Sequence, residues 1–223
     1  DVYKRQDHKV LEFHEYVNLF SGKSGSGKST VMDAIQVILY GSFSPSFLNK
    51  AADDAKNRRS VLSYLRGEQK DGSANRKDCD FCSVIALEIE DTGTHIITCI
   101  GIAFEVRKSD SEIKKFVYFS HSGKMPESEY LTEQGVCYSN QEIKKLVSAR
   151  TKSDDNRGKG EVNRIYGSKE AYLGTLYDVI LGYIDQNRFI TMEKSAIALK
   201  MTNGTGQFIR DYMFPKNTSN TIA

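Results

Sequence analysis

Residues 22–29 carry the residue types with the clearest chemical purpose in this chain. They read G-K-S-G-S-G-K-S and match the phosphate-binding pattern G-x-x-x-x-G-K-[ST] at every fixed position. Glycines in such a loop let consecutive backbone N–H groups turn toward an anion, and the helix that follows presents its positive N-terminal end to the same phosphates. The pattern therefore predicts a loop that binds a nucleotide, with ATP and Mg²⁺ as the expected ligands.

The side chains at the end of this loop have separate expected roles. Lys28 would reach the β- and γ-phosphates, and the hydroxyl of Ser29 would bind the Mg²⁺ that bridges them. The predicted nucleotide-binding residues are Gly22, Lys23, Ser24, Gly25, Ser26, Gly27, Lys28, Ser29 and Thr30.

The loop needs a strand before it and a helix after it. Residues 9–21 contain β-favouring apolar groups and are predicted to form a strand or hairpin. Residues 29–40 place apolar side chains at helical spacing, and Gly41 stands where a helix C-cap is expected. The predicted order is thus strand, glycine loop, helix.

The middle of the chain is predicted to build a β-layer. Residues 42–80 are polar and interrupted by Pro45, so they are interpreted as a surface insertion outside the core, with one short helix in "NRRSVLSYLRG". Three strand-like runs follow, "CSVIALEIED", "HIITCIGIAFEV" and "KKFVYFS", and their short separations favour an antiparallel meander.

The last third of the chain is predicted to be mainly helical. Ser139 and Glu142 have capping-box spacing before a helix, residues 150–161 read as a charged flexible loop, and an amphipathic helix begins at Ser168. Further helices are expected at 187–200 and 205–213. The predicted fold class is an α/β P-loop NTPase with an antiparallel β-layer and a helical C-terminal part.

The chemistry of hydrolysis requires more than a phosphate loop. It needs an acid on the metal and a group that activates water. No segment has the apolar run ending in Asp-Glu of a Walker B strand, and none resembles the L-S-G-G-Q signature of ABC-type ATPases. "IALEIED" comes nearest, but its acidic residues alternate as on a solvated strand face. The catalytic acid and glutamate are therefore expected outside these residues.

Composition restricts the compartment more than it restricts the partner. The net charge of +2 is too small to indicate nucleic acid by itself. The four cysteines suit a reducing compartment, which makes the cytoplasm the expected location, and Cys79 and Cys82 read as ordinary thiols because no second Cys/His pair follows for zinc. No apolar run approaches the ~20 residues of a membrane span.

Residues 20–41 "FSGKSGSGKSTVMDAIQVILYG", residues 47–68 "FLNKAADDAKNRRSVLSYLRGE" and the later "KSAIALKM" and "FIRDYMFP" carry a family resemblance. The chain resembles the N-terminal half of the ATPase head of an SMC-like protein, in the group of the Wadjet subunit JetC, MukB and EptC. Residues 7–223 correspond to this ABC-type half-head, and residues 1–6 are interpreted as non-native.

The resemblance implies a machine larger than this chain. Heads of this family are completed by a C-terminal half across a coiled coil, and two copies of the head sandwich ATP. ATP hydrolysis would then drive the action of the heads on double-stranded DNA, together with kleisin-like and accessory subunits. The implied outcome is plasmid defence or chromosome partition. The resemblance also implies an arginine loop, for which Arg58, Arg59 and Arg66 are the candidates and Arg59 matches best.

Two other interpretations stay open at this stage. A DNA-repair ATPase head of the SbcC type would share the half-head design, whereas a self-contained P-loop kinase or NTPase would need a Walker B acid within the chain. Gln186 and Gln207 are both candidates for a metal-sensing glutamine, and the sequence assigns the role to neither.

Overall fold

The computed structural model describes residues 8–23, 26–45, 48, 60–68, 72–154 and 162–197. The α-helices in these residues are α1 (Lys28–Tyr40), α2 (Val61–Arg66), α3 (Asn140–Asp154), α4 (Lys169–Gly174) and α5 (Gln186–Ile197), and a π-helical turn (Thr175–Ile180) continues α4. The strands are β1 (Phe81–Glu90), β2 (Ile97–Val106), β3 (Lys115–Ser122) and β4 (Arg164–Tyr166).

The strands form one antiparallel sheet in the order β1-β2-β3-β4. The predicted three-strand meander is confirmed, because β1 to β3 pair in sequence order with Ile85 opposite Ile102 and Ile102 opposite Tyr118. Strand β4 was not predicted. Its three residues are too few to show an alternating pattern, and pairing with β3 alone defines them as a strand.

One face of the sheet holds the larger core. Alternate β2 side chains point to this face, where Ile100, Ile102 and Phe104 are fully buried. Helices α1, α2 and α4 cover them. The other buried members of this core are Val37, Ile38, Leu48, Val61, Leu62, Leu65, Phe81, Val106, Tyr118, Tyr166, Tyr172, Leu173, Leu176 and Tyr177.

The opposite face of the sheet packs against α3. The predicted capping box is confirmed at the start of this helix, because the Ser139 backbone N–H and hydroxyl both donate to Glu142 Oε2, at 2.7 and 2.8 Å. His121 of β3 is fully buried here, and burial lowers the pKa of its imidazole. The protein thus has three layers, with α1, α2 and α4 on one side of the sheet and α3 on the other.

The prediction that residues 42–80 lie outside the core is wrong. Leu48, Val61, Leu62 and Leu65 are all less than a tenth exposed and belong to the larger core. The predicted short helix is confirmed as α2. The apolar residues of α2 stand between the polar stretches "NRRS" and "RGEQKDG", so the segment reads as polar overall while one helical face is apolar.

The prediction of a strand or hairpin over residues 9–21 is also wrong. Residues 8–20 are exposed throughout and form no strand, with Val17 78% and Leu19 91% exposed. A strand requires a neighbouring chain for its backbone hydrogen bonds, and β1 to β4 pair only with each other in the described sheet. No strand of this sheet pairs with the β-favouring segment.

The C-terminal helices were predicted with mixed success. The amphipathic helix after Ser168 is confirmed at its start, where the Ser168 hydroxyl accepts from the Ala171 N–H at 3.2 Å, but it becomes π-helical from Thr175. Helix α5 matches the helix expected at 187–200 over its described part, and residues 205–213 lie outside the described residues. None of the helices in the described part of the chain has the length and hydropathy of a membrane-spanning segment.

Candidate functional site

The phosphate-loop sequence leads directly into α1. Gly27 precedes the helix with φ 89° and ψ 6°, a left-handed conformation that glycine adopts without the penalty a Cβ would add. Its carbonyl already accepts from the Val31 N–H at 3.2 Å, so the helix begins at once after the turn. Before it, the Ser26 N–H donates to the Lys23 carbonyl at 3.2 Å. The glycine pattern therefore places the loop at the helix N-terminus.

The N-terminal end of α1 is suited to an anion. Its N-cap residue, Gly27, offers no capping side chain, and its first turn contains no acidic residue. The backbone N–H groups of a first helical turn have no acceptor inside the helix, and the helix dipole adds positive potential at the same end. The first-turn donors that Gly27 does not cap therefore lie at the end of the helix that follows the loop.

Lys28 brings a full positive charge to this end of the helix. Its Nζ donates to the carbonyl oxygens of Gly22 at 2.7 Å and Lys23 at 3.0 Å, and to the Ser26 hydroxyl at 3.3 Å. These contacts fold the ammonium group back over the loop. The charge therefore lies beside the helix N-terminus.

The described residues of the predicted site lie in the loop or in the first turn of α1. Ser29 and Thr30 lie in the first turn of α1 and are exposed, as are Gly22, Lys23 and Ser26 in the loop. Ser24 and Gly25 lie outside the described residues. The structure brings Gly22, Lys23 and Ser26 together on the Lys28 ammonium, and the nucleotide roles of all these residues stay predictions.

Three tyrosine hydroxyls hold the opposite end of α1, a feature that sequence reasoning missed. Tyr118 donates to the Gly41 carbonyl at 2.6 Å, Tyr172 to the Ile38 carbonyl and Tyr177 to that of Leu39, each at 3.0 Å. The last carbonyls of a helix have no donors within it, and these hydroxyls supply them. Burial raises the pKa of Tyr118 and Tyr177 to about 12, so both hydroxyls keep their protons.

Two further contacts hold α1 along its length. Asp33, only 5% exposed, accepts a hydrogen bond from the Tyr64 hydroxyl of α2 at 2.5 Å. Gln36, also buried, donates from Nε2 to Glu193 Oε1 of α5 at 3.0 Å. The apolar spacing of α1 located the helix, but no local pattern pairs Asp33 with a residue 31 positions away.

Of the three arginine-loop candidates, the structure describes only Arg66. Arg66 Nη2 donates to the carbonyls of Arg107 and Lys108, both at 3.2 Å, and of Asp110 at 2.7 Å. Its guanidinium group therefore secures the turn between β2 and β3. Arg58 and Arg59 lie outside the described residues, and the arginine-loop role stays a prediction for all three.

The acidic run that comes nearest to a Walker B strand lies in β1 and the residue that follows it. The acidic residues of "IALEIED" are Glu88, Glu90 and Asp91, and all three are exposed. On β1, Glu88 accepts from the Met125 N–H at 2.7 Å and Glu90 lies 2.9 Å from His95 Nδ1. The interpretation of this run as a structural strand is confirmed. Among the described residues, no group of three or more His, Cys, Asp or Glu side chains could hold a metal ion.

The comparison with protein families agrees with the geometry of this loop. Residues 3–55 match the family model for the P-loop containing region of the AAA domain. This part of the chain is a P-loop region. The match covers the phosphate loop and α1 and does not extend into the sheet. No curated protein and no solved structure matches the chain.

Proposed function

We propose that this protein binds ATP with Mg²⁺ through residues 22–30 and serves as the N-terminal half of an SMC-like ATPase head. The observation that carries the proposal is the N-terminus of α1, where Gly27 offers no capping side chain and the Lys28 ammonium group is folded over the loop. Lys28 would hold the β- and γ-phosphates, and Ser29 would bind Mg²⁺. When bound, Mg²⁺ neutralises phosphate charge.

The half-head part of the proposal is supported by residues 8–20. They precede the loop, and six of their apolar side chains are more than a third exposed, namely Val10, Leu11, Phe13, Val17, Leu19 and Phe20. Apolar, β-favouring residues gain stability when a neighbouring strand covers them and pairs with their backbone. A C-terminal half-head that supplies such a strand, together with the Walker B acid and signature loop, would complete the site.

The larger assembly follows from the sequence resemblance. The completed head would pair with a second copy, hydrolyse ATP between the two, and act on double-stranded DNA with kleisin-like and accessory subunits in the cytoplasm. Plasmid defence of the Wadjet type or chromosome partition would be the outcome. In the SbcC-type alternative, the same half-head would serve DNA repair.

A magnesium titration tests the role proposed for Ser29. We expect Mg²⁺ to tighten ATP binding to the wild-type protein, and Ser29→Ala to lose about tenfold or more of this gain, because the hydroxyl is the proposed metal ligand. ATP affinity in EDTA should stay the same in both proteins. The measurement is calorimetry with and without Mg²⁺, and Ser148→Ala, at an exposed serine of α3, is the matched control. An equal Mg²⁺ gain in Ser29→Ala would contradict the assignment.

DNA binding by the assembled head is expected to depend on residues 56–66, whose basic side chains are Lys56, Arg58, Arg59 and Arg66. Removing one protein–phosphate ion pair should make the salt dependence of duplex binding shallower, by about 0.9 in the slope of log K against log salt. The double variant Arg58→Ala/Arg59→Ala is compared with Lys144→Ala/Lys145→Ala, which removes the same charge from the exposed face of α3. An unchanged slope in the arginine variant would exclude this segment as the DNA-binding surface.

A further inference from the structure

Helix α1 is fixed at one end and exposed at the other. Its C-terminal carbonyls are held by the hydroxyls of Tyr118, Tyr172 and Tyr177, which come from β3, α4 and the π-helical turn. Its first turn, with Ser29 and Thr30, is exposed. Ligand binding at the loop therefore cannot move α1 along its axis without breaking these hydrogen bonds. A movement of α1 that keeps these hydrogen bonds is a tilt of its N-terminal half.

Asp33 lies in the N-terminal half of α1, which such a tilt would move. It follows Ser29 by four residues, which places both on one face of the helix, one turn apart. Its Oδ2 accepts from the Tyr64 hydroxyl at 2.5 Å, and the carboxyl group is almost completely buried. Breaking a hydrogen bond to a buried polar group is costly, because the group then loses a partner that water cannot replace. This hydrogen bond thus resists movement between α1 and α2.

Helix α2 is itself firmly placed. The Ser60 hydroxyl caps its N-terminus by accepting from the Ser63 N–H at 3.1 Å. Leu62 and Leu65 are buried in the larger core, and Arg66 is bound to three carbonyls of the turn after β2. Tyr64 therefore joins the phosphate-loop helix to an element anchored on the sheet.

We propose that the Asp33–Tyr64 hydrogen bond couples the phosphate loop to α2, so that Tyr64 acts as a positioning residue for the nucleotide site. Ligand binding at the loop stabilises α2, and the anchorage of α2 strengthens ligand binding by the same factor, because coupling between two sites is reciprocal. This inference rests on the proposed nucleotide binding. It adds a mechanical link from that site to the segment that directly follows Arg58 and Arg59 in the sequence.

Hydrogen exchange of the backbone amides tests the coupling, with ATP and Mg²⁺ as the probe. In the wild type we expect ATP to slow exchange in residues 20–32 and, through the link, by about fivefold or more in residues 60–68. Tyr64→Phe should keep the protection of 20–32, lose that of 60–68, and weaken ATP binding about fivefold. Tyr183→Phe, at a tyrosine 86% exposed, is the matched control.

Variants of Asp33 approach the same bond from its other side. Asp33→Ala should reproduce the loss seen in Tyr64→Phe, whereas Asp33→Asn retains an acceptor oxygen and should restore protection of residues 60–68. A merely structural role for the pair would not separate these two variants by their response to ATP.

The outcomes distinguish this inference from the function on which it rests. Protection of residues 20–32 without protection of 60–68 in the wild type would overturn the coupling and leave nucleotide binding intact. Retained protection of 60–68 in Tyr64→Phe would overturn it as well. No protection in either segment would contradict nucleotide binding itself, and the coupling with it.

Discussion

We expect the 223-residue chain alone to show no ATP turnover above background, and turnover to appear when a C-terminal half-head is co-expressed with it. The physical reason is that the proposal divides the groups needed for hydrolysis between the two half-heads. The chain offers Lys28 and Ser29 for phosphate and metal, whereas its sequence contains no recognisable Walker B acid, catalytic glutamate or signature loop. Charge stabilisation and water positioning supply most of the rate in phosphoryl transfer, so their absence should cost about 10³-fold or more.

The assay is steady-state phosphate release by the chain alone, by the C-terminal half alone, and by the two together. Lys28→Ala should abolish turnover of the complex, while Lys77→Ala, at an exposed lysine remote in sequence from the loop, should leave it unchanged. Robust turnover by the chain alone that Lys28→Ala abolishes would refute the half-head proposal and favour the self-contained NTPase.

Lys28→Ala is expected to weaken ATP binding by about tenfold for each hydrogen bond to phosphate that it removes, and by about 100-fold when it removes two. Hydrogen bonds to charged groups contribute about 1.5–3 kcal/mol each, and a factor of ten in affinity corresponds to about 1.4 kcal/mol. The ammonium group already lies over the loop, 2.7 Å from the Gly22 carbonyl, so it is within a short movement of a phosphate at the helix N-terminus.

Calorimetry with ATP and Mg²⁺ measures this affinity, and Lys77→Ala is again the control. Because Lys28 also binds loop carbonyls in the absence of nucleotide, thermal unfolding of Lys28→Ala should be compared with that of the wild type. A loss of affinity without a fall in melting temperature assigns the effect to the ligand. Equal affinities for wild type and Lys28→Ala would remove the basis of the proposed site.

The parts of the fold that were predicted correctly have local causes. Alternating apolar residues in the runs that became β1, β2 and β3 indicate strands, and short separations favour hairpins. The capping pair Ser139 and Glu142 marks the start of α3 through its own hydrogen bonds. The G-x-x-x-x-G-K-[ST] spacing locates the loop because glycine conformation and a lysine directly after the last glycine are local requirements.

The parts that were predicted wrongly depend on distant partners. Residues 9–21 have the composition of a strand but no neighbour among the described strands, so composition alone misled the prediction. Residues 42–80 read as polar, yet Leu62 and Leu65 are buried because α2 turns one face onto the sheet. Burial is decided by what an element packs against, which its own sequence does not state.

The sequence by itself determined that this protein has a P-loop, where its helix begins and ends, and that a meander follows. The tertiary structure alone decided how that helix is held. The tyrosines on its last carbonyls and Tyr64 on Asp33 come from elements 31 to 138 positions away in the chain. Turn conformations and helix caps are set by neighbours in sequence, whereas hydrogen bonds between elements exist only once packing has brought their donors and acceptors together.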